Sequence, residues 1–174
     1  MSLHYQPPFN IIITGIGGQG ISRLTKSIWT LSQKSSFSVQ GAIFKGGAQT
    51  LGSVYSTMRI FFSKTVDYEY YSSQILEREL DLLIALEPYE ALRFQRYFGP
   101  QTKIICSSQI APIWIERHRP LLISDPIAVL RQLGRTLIVE NFHQAAMEKY
   151  GDTRAAGEMM FARAREKGYF PWTI

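Results

Sequence analysis

The sequence contains a single cysteine, Cys106, and only three histidines, His4, His118 and His143. One cysteine excludes an internal disulfide and any iron–sulfur cluster held by four cysteines of this chain. The histidines share no metal-ligand spacing with one another or with Cys106, so no metal site is expected. Cys106 ends the run Lys103-Ile104-Ile105-Cys106, which predicts a buried and inert thiol. No apolar run approaches the ~20 residues that span a bilayer, and no charged segment followed by an apolar one opens the chain. A cytoplasmic protein without membrane contact is expected.

Acidic residues are missing from the first third of the chain. The first of them is Asp67, so residues 1–66, with Arg23, Lys26, Lys34, Lys45, Arg59 and Lys64, carry +6. The remainder is nearly balanced, 13 basic residues against 14 acidic ones, within a total of +5. A field of that sign attracts a phosphate-bearing cofactor or an acidic surface. Nucleic acid is disfavoured, because no recognition motif and no regular interleaving of basic and aromatic residues is present. With 174 residues, 45% of them hydrophobic, the chain can bury one core, and a single domain over 1–174 is expected.

The basic third also holds the most informative segment, the apolar run Ile11-Ile12-Ile13-Thr14 followed by Gly15-Ile16-Gly17-Gly18-Gln19-Gly20. A strand that runs into a glycine turn and then a helix makes an anion site. Glycine allows the tight turn and the close approach of a guest, and the first N–H groups of the helix face it with the positive end of the dipole. Gly15, Gly17 and Gly20 satisfy the spacing of the dinucleotide fingerprint. The acidic residue that should receive the ribose hydroxyls about 20 residues later is absent from Phe37-Ser38-Val39-Gln40-Gly41-Ala42. NAD or FAD held in the usual way is therefore disfavoured, while a 2′-phosphorylated ribose stays open.

Strand and helix signals alternate, which predicts an α/β fold, a three-layer domain whose mostly parallel sheet is covered by helices on both faces. Strands are expected near 10–15, 37–43, 53–62, 80–86, 103–106 and 136–139. Helices are expected over 19–34, 88–98 and 126–133, the last two closed by Gly99-Pro100 and Gly134, and over 142–150 and 153–167. The aromatic tail Tyr169-Phe170-Pro171-Trp172 either packs on its own domain or meets a partner.

Ligands of such sheets bind beyond the carboxyl ends of the strands. Besides the turn, this singles out the loop 44–52, Glu87, Ser107 with Ser108, and Glu140 with Asn141. Glu87 and Glu140 are candidates for acid–base work or for a helix cap and a solvated rim. Arg117-His118-Arg119 either holds a phosphate or forms a solvated basic loop. No nucleophile elbow is present, and no Ser/His/Asp order is compelling. A chain with an anion turn and no complete catalytic set fits one subunit of a larger enzyme.

The segments 13–20, Gly46-Gly47-Ala48-Gln49-Thr50-Leu51-Gly52-Ser53-Val54, Asp81-Leu82-Leu83-Ile84-Ala85-Leu86-Glu87-Pro88 and Gly151-Asp152-Thr153-Arg154-Ala155-Ala156 resemble the small subunit of indolepyruvate:ferredoxin oxidoreductase. More widely, they are similar to the gamma subunit or domain of the 2-oxoacid:ferredoxin oxidoreductases. The resemblance implies a Rossmann-like α/β subunit that holds no cofactor alone. It implies a larger partner carrying thiamine diphosphate and iron–sulfur clusters, with CoA and ferredoxin as the acceptors of acyl group and electrons. Gly15, Gly17, Gly18, Gln19 and Gly20 would form the anion turn. Ala48, Gln49, Gly52 and Ser53 would shape a loop facing the partner's active site, with Arg59 and Arg154 as weaker candidates. A homodimer in isolation stays open.

Thr50 and Leu51 depart from the pattern GMAQRGGS that such proteins commonly show, standing where arginine and glycine are expected. Threonine cannot replace a planar, permanently charged clamp. Lys45 is the neighbouring cation able to compensate if it reaches the same place. The departure leaves a second expectation, a divergent, non-catalytic nucleotide- or phosphate-binding module of the same fold; a stand-alone NADP-type enzyme is a third.

Overall fold

The computed structural model describes residues 7–46, 52–63, 72, 74–111, 123–133 and 136–170. Six strands form one sheet: β1 (Phe9–Ile16), β2 (Ser38–Lys45), β3 (Ser53–Phe61), β4 (Leu80–Ala85), β5 (Phe98–Ser107) and β6 (Thr136–Glu140), in the spatial order β2-β3-β1-β4-β5-β6. β1, β4, β5 and β6 run parallel to one another. β3 is antiparallel to both β1 and β2. The β2–β3 hairpin thus inserts one reversed strand where a simple doubly wound sheet would place β2 beside β1. The described ends of its connection, Gly46 and Gly52, lie at the carboxyl edge beside the end of β1, since Ser53 pairs with Ile16.

Helices cover both faces, in keeping with apolar strands buried on two sides. α1 (Ile21–Lys34), α4 (Phe142–Tyr150) and α5 (Ala156–Glu166) supply Ile21, Leu24, Ile28, Phe142, Ala146, Met160 and Ala164 to a core with Ile11, Ile13, Met58, Leu82 and Ile84. α2 (Pro88–Leu92) and α3 (Pro126–Gln132) close the other face over Ile12, Leu83, Ile104 and Cys106. On α1 the apolar residues recur at helical spacing, and the buried hydroxyls of Thr25 and Ser32 return to the carbonyls of Ile21 and Ile28, each at 2.9 Å. Gly157 lets α5 approach α1, since a Cβ there would lie 3.1 Å from Leu24.

The expected helix over 88–98 is shorter in the structure. α2 stops at Leu92, a 3-10 turn occupies Gln95–Tyr97, and Phe98 opens β5. Gly99 and Pro100, expected as a helix stop, instead begin a strand. Gly99 passes so close to the Arg78 carbonyl that a Cβ would lie 2.1 Å from it. The Thr102 hydroxyl accepts from the Gly99 N–H at 2.7 Å and donates to the Leu80 carbonyl at 2.6 Å, pinning the strand's start. The helix expected over 153–167 is a 3-10 turn, Thr153–Ala155, followed by α5. Of the aromatic tail, Tyr169 and Phe170 are buried, and Phe170 meets Phe9 and Phe161 at 5.8 and 4.8 Å between ring centroids. Pro171 and Trp172 lie outside the described residues, as does Gly134.

Candidate functional site

Between β1 and α1 the chain makes the expected glycine turn. Gly18 and Gly20 have φ of 98° and 89°, a region that strains other residues. Gly20 is the N-cap of α1, with no side-chain cap and no acidic residue in the first turn. The N–H groups of that turn lack intrahelical acceptors, and the helix dipole adds to their pull on an anion. Glycine is required here for two different reasons. A Cβ at Gly20 would lie 2.6 Å from the Arg154 carbonyl oxygen, whereas at Gly18 it would meet nothing within 4 Å. Gly20 therefore packs against the loop before α5, and the space over Gly18 is open.

That space is a cleft of about 490 Å³ lined by the backbone of residues 16–18 and 20, by Ser22 and Val54, and by the cations Arg23, Lys45 and Arg154. Arg23 pairs with Glu158 at 2.7 Å and Arg154 with Asp152 at 2.9 Å. Among the described residues Lys45 has no acidic partner, and it lines the same cleft as the turn. Arg23 was not legible as a site residue. Its signal was its position three residues after the cap, on the first turn of the helix that opens the cleft.

The two glycine-rich loops are joined directly. The Gly17 N–H donates to the Gly52 carbonyl, and the Gly46 N–H to that of Ser53, both at 2.8 Å. Ser53, expected in a loop facing a partner, has an inward hydroxyl that donates to the buried Glu90 carboxylate at 2.5 Å. Ala48 and Gln49, like Thr50 and Leu51, lie outside the described residues. Gln19 is the one residue between 16 and 23 that does not line the cleft. Its Oε1 accepts from the Ile16 N–H at 2.7 Å, and its Nε2 lies 3.3 Å from His143 Nε2 and 3.5 Å from the Leu86 carbonyl. The structure therefore gives Gln19 a role in shaping the turn.

The remaining strand-end candidates are committed to internal partners. Glu87 is fully buried and caps α2, accepting from the N–H groups of Glu90 at 2.9 Å and Ala111 at 3.3 Å. Burial, against these bonds, pushes its carboxyl up to about 7. Ser107 holds His143 Nδ1 at 2.8 Å, Asn141 caps α4, and Glu140 receives Arg163 at 2.9 Å. Glu87 and Glu140 thus act as a cap and a rim, with no sign of an acid–base pair. Arg59 lies six rungs down β3 from Ser53, about 20 Å away, where it donates to Asn10 and to the Ser72 carbonyl. It belongs to the opposite end of the sheet. Burial pushes the Cys106 thiol up, which fits an inert core thiol. Arg117, His118 and Arg119 lie outside the described residues.

The profile of the pyruvate ferredoxin/flavodoxin oxidoreductase family matches residues 10–166. The chain belongs to that family. It is 32% identical over 104 residues to indolepyruvate oxidoreductase subunit IorB of Methanothermobacter thermautotrophicus, covering 60% of this chain and 50% of that protein. It is 34% identical over 89 residues to the IorB of Pyrococcus horikoshii, covering 51% and 41%. The chain thus spans about half the length of the curated relatives it matches. Among solved structures, pyruvate oxidoreductase subunit PORC of Thermotoga maritima superposes with a TM-score of 0.64 at 14% identity, covering 95% of this chain and 80% of that one. The 2-oxoglutarate:ferredoxin oxidoreductase of Magnetococcus marinus gives 0.60 at 16%, covering 88% of this chain and 23% of that one. These neighbours share the fold.

Proposed function

We propose that this chain is the small subunit of a thiamine-diphosphate-dependent 2-oxoacid:ferredoxin oxidoreductase of the indolepyruvate, or aryl-pyruvate, type. The complex would oxidatively decarboxylate a 2-oxoacid to an acyl-CoA and pass the electrons to ferredoxin. Thiamine diphosphate and the iron–sulfur clusters fall to a larger subunit, because this chain has one cysteine and no thiamine GDG…NN motif. We infer a cytoplasmic location; no described helix is long and apolar enough to cross a membrane.

The observation that carries the proposal is the cleft over Gly18. Open space, a helix start without a side-chain cap, and the cations Lys45, Arg23 and Arg154 along its lining, the last two shared with Glu158 and Asp152, suit the diphosphate of a CoA tail. The backbone of Gly17, Gly18 and Gly20 would approach the phosphates, and Arg23, Lys45 and Arg154 would neutralise them. Gln19 and Ser53 would support that surface from behind.

Purifying the tagged chain without oxygen from its native host, and identifying its companions by mass spectrometry, tests the assembly. A cysteine-rich thiamine subunit in stoichiometric amount, with CoA-dependent 2-oxoacid oxidation, is the expected result. A chain that emerges alone and lends no activity would overturn it. Thr50 and Leu51 favour a second reading, a phosphate-binding module that has lost the reaction. The double replacement Thr50→Arg, Leu51→Gly separates the two: a gain in CoA affinity or complex activity supports the enzyme subunit, and no change in either supports the module.

A further inference from the structure

Gln19 turns away from the cleft that its neighbours line, and its amide has one way to sit. The Ile16 N–H donates to Oε1 at 2.7 Å, which leaves Nε2 as the donor toward His143 Nε2 at 3.3 Å. His143 Nε2 must then be the unprotonated ring nitrogen, so Nδ1 carries the hydrogen and donates it to the Ser107 hydroxyl at 2.8 Å. The glycine at position 15 makes room for this arrangement, since a Cβ there would lie 2.6 Å from Gln19 Oε1.

We propose that Gln19 and His143 are positioning residues, through which the ends of β4 and β5 and the start of α4 set the conformation of the glycine turn and thereby its affinity for an anion. The inference rests on the proposed anion site. Gln19 Oε1 and Nε2 and His143 Nε2 and Nδ1 thus each have one fixed role. Only 4% of His143 is exposed, and burial alone holds its imidazole below the usual histidine range. Adding a proton at Nε2 would set a donor against the Gln19 amide, and flipping that amide would move the clash to the Ile16 N–H. The charged groups on the surrounding elements are engaged elsewhere: Glu87 as the α2 cap, Glu140 with Arg163, Asp152 with Arg154, and Arg23 with Glu158.

Two measurements on the full chain test the proposal. In the ligand-free protein, 15N NMR of labelled histidine, assigned through His143→Gln, should show the hydrogen on Nδ1. Gln19→Glu should raise the midpoint of that histidine by about one pH unit, because its carboxylate needs a donor at Nε2. Gln19→Leu and His143→Leu should displace the amide signals of Gly17, Gly18 and Gly20. Both should weaken pyrophosphate binding by about tenfold, while His143→Gln, which can still accept from Gln19, restores both properties. A hydrogen on Nε2, or leucine variants that leave turn signals and pyrophosphate affinity unchanged, overturns the proposal. Failure of the unaltered protein to bind pyrophosphate would instead remove the anion site, and the histidine tautomer and turn signals would still decide whether the chain of contacts sets the turn.

Discussion

The carboxyl edge of the sheet has two halves that use the same materials differently. Beyond β4, β5 and β6 the polar groups face partners inside the fold: Glu87 caps α2, Asn141 caps α4, Ser107 holds His143, and Glu140 takes Arg163. Beyond β1 and the β2–β3 hairpin, α1 has no side-chain cap, a Cβ at Gly18 would meet nothing within 4 Å, and Lys45 has no acidic partner among the described residues. Fold rules place ligands along the whole edge. Hydrogen-bond accounting favours the half in which α1 has no side-chain cap and Lys45 no acidic partner among the described residues.

The largest break in this contrast is expected at Gly20. Gly20→Ala puts a Cβ 2.6 Å from a backbone oxygen at a φ of 89°, which should cost about 3 kcal/mol of stability. A denaturant titration reads that cost. Gly18→Ala shares the positive φ but meets open space, and should cost about 1 kcal/mol while weakening pyrophosphate binding.

The committed half should reveal itself through pH. The Glu87 carboxyl is raised from its ordinary 4.5 to about 7, so its contribution to stability is complete below pH 4.5 and is lost as pH rises through 7. That shift is worth about 3 kcal/mol. Between pH 4.5 and pH 8 the protein should lose stability relative to Glu87→Gln. Parallel pH profiles for the two proteins would place the raised carboxyl elsewhere.

Smaller effects sharpen the comparison. Ser53→Ala removes the donor to buried Glu90 and should cost about 1–2 kcal/mol in thermal or denaturant unfolding. Lys45→Ala should reduce pyrophosphate affinity at low salt by about fivefold, the size of one charge-assisted contact. Arg163→Ala removes a cation from the same edge but from its committed half, and calorimetry should find its pyrophosphate affinity unchanged.

Much of the fold was legible because periodicity and punctuation agreed with tertiary packing. The strand 9–16, the glycine turn and α1 follow from one apolar run, four glycines and a helical stripe. The reversed β3 was not legible, since strand direction depends on a hairpin whose partners are set across the sheet. The end of α2 was misplaced for a similar reason: Gly99-Pro100 stops helices in general, yet here the close approach to Arg78 and the Thr102 bridge to Leu80 draw it into a strand. At the site, the glycines marked the turn, and the structure puts Lys45 on the same cleft. The inward turn of Gln19 was hidden, because its partners His143 and Leu86 are 124 and 67 residues away. Motif position alone suggests ligand contact for such a residue, and only the packing shows that it braces the turn.

The most direct test is an amide chemical-shift map of the chain titrated with pyrophosphate. Displaced signals at Gly17, Gly18, Gly20, Ser22, Lys45 and Arg154, with those of Glu140, Gln144 and Arg163 unmoved, are the predicted result. Displacement centred on the ends of β5 and β6, or no displacement anywhere, would contradict the account.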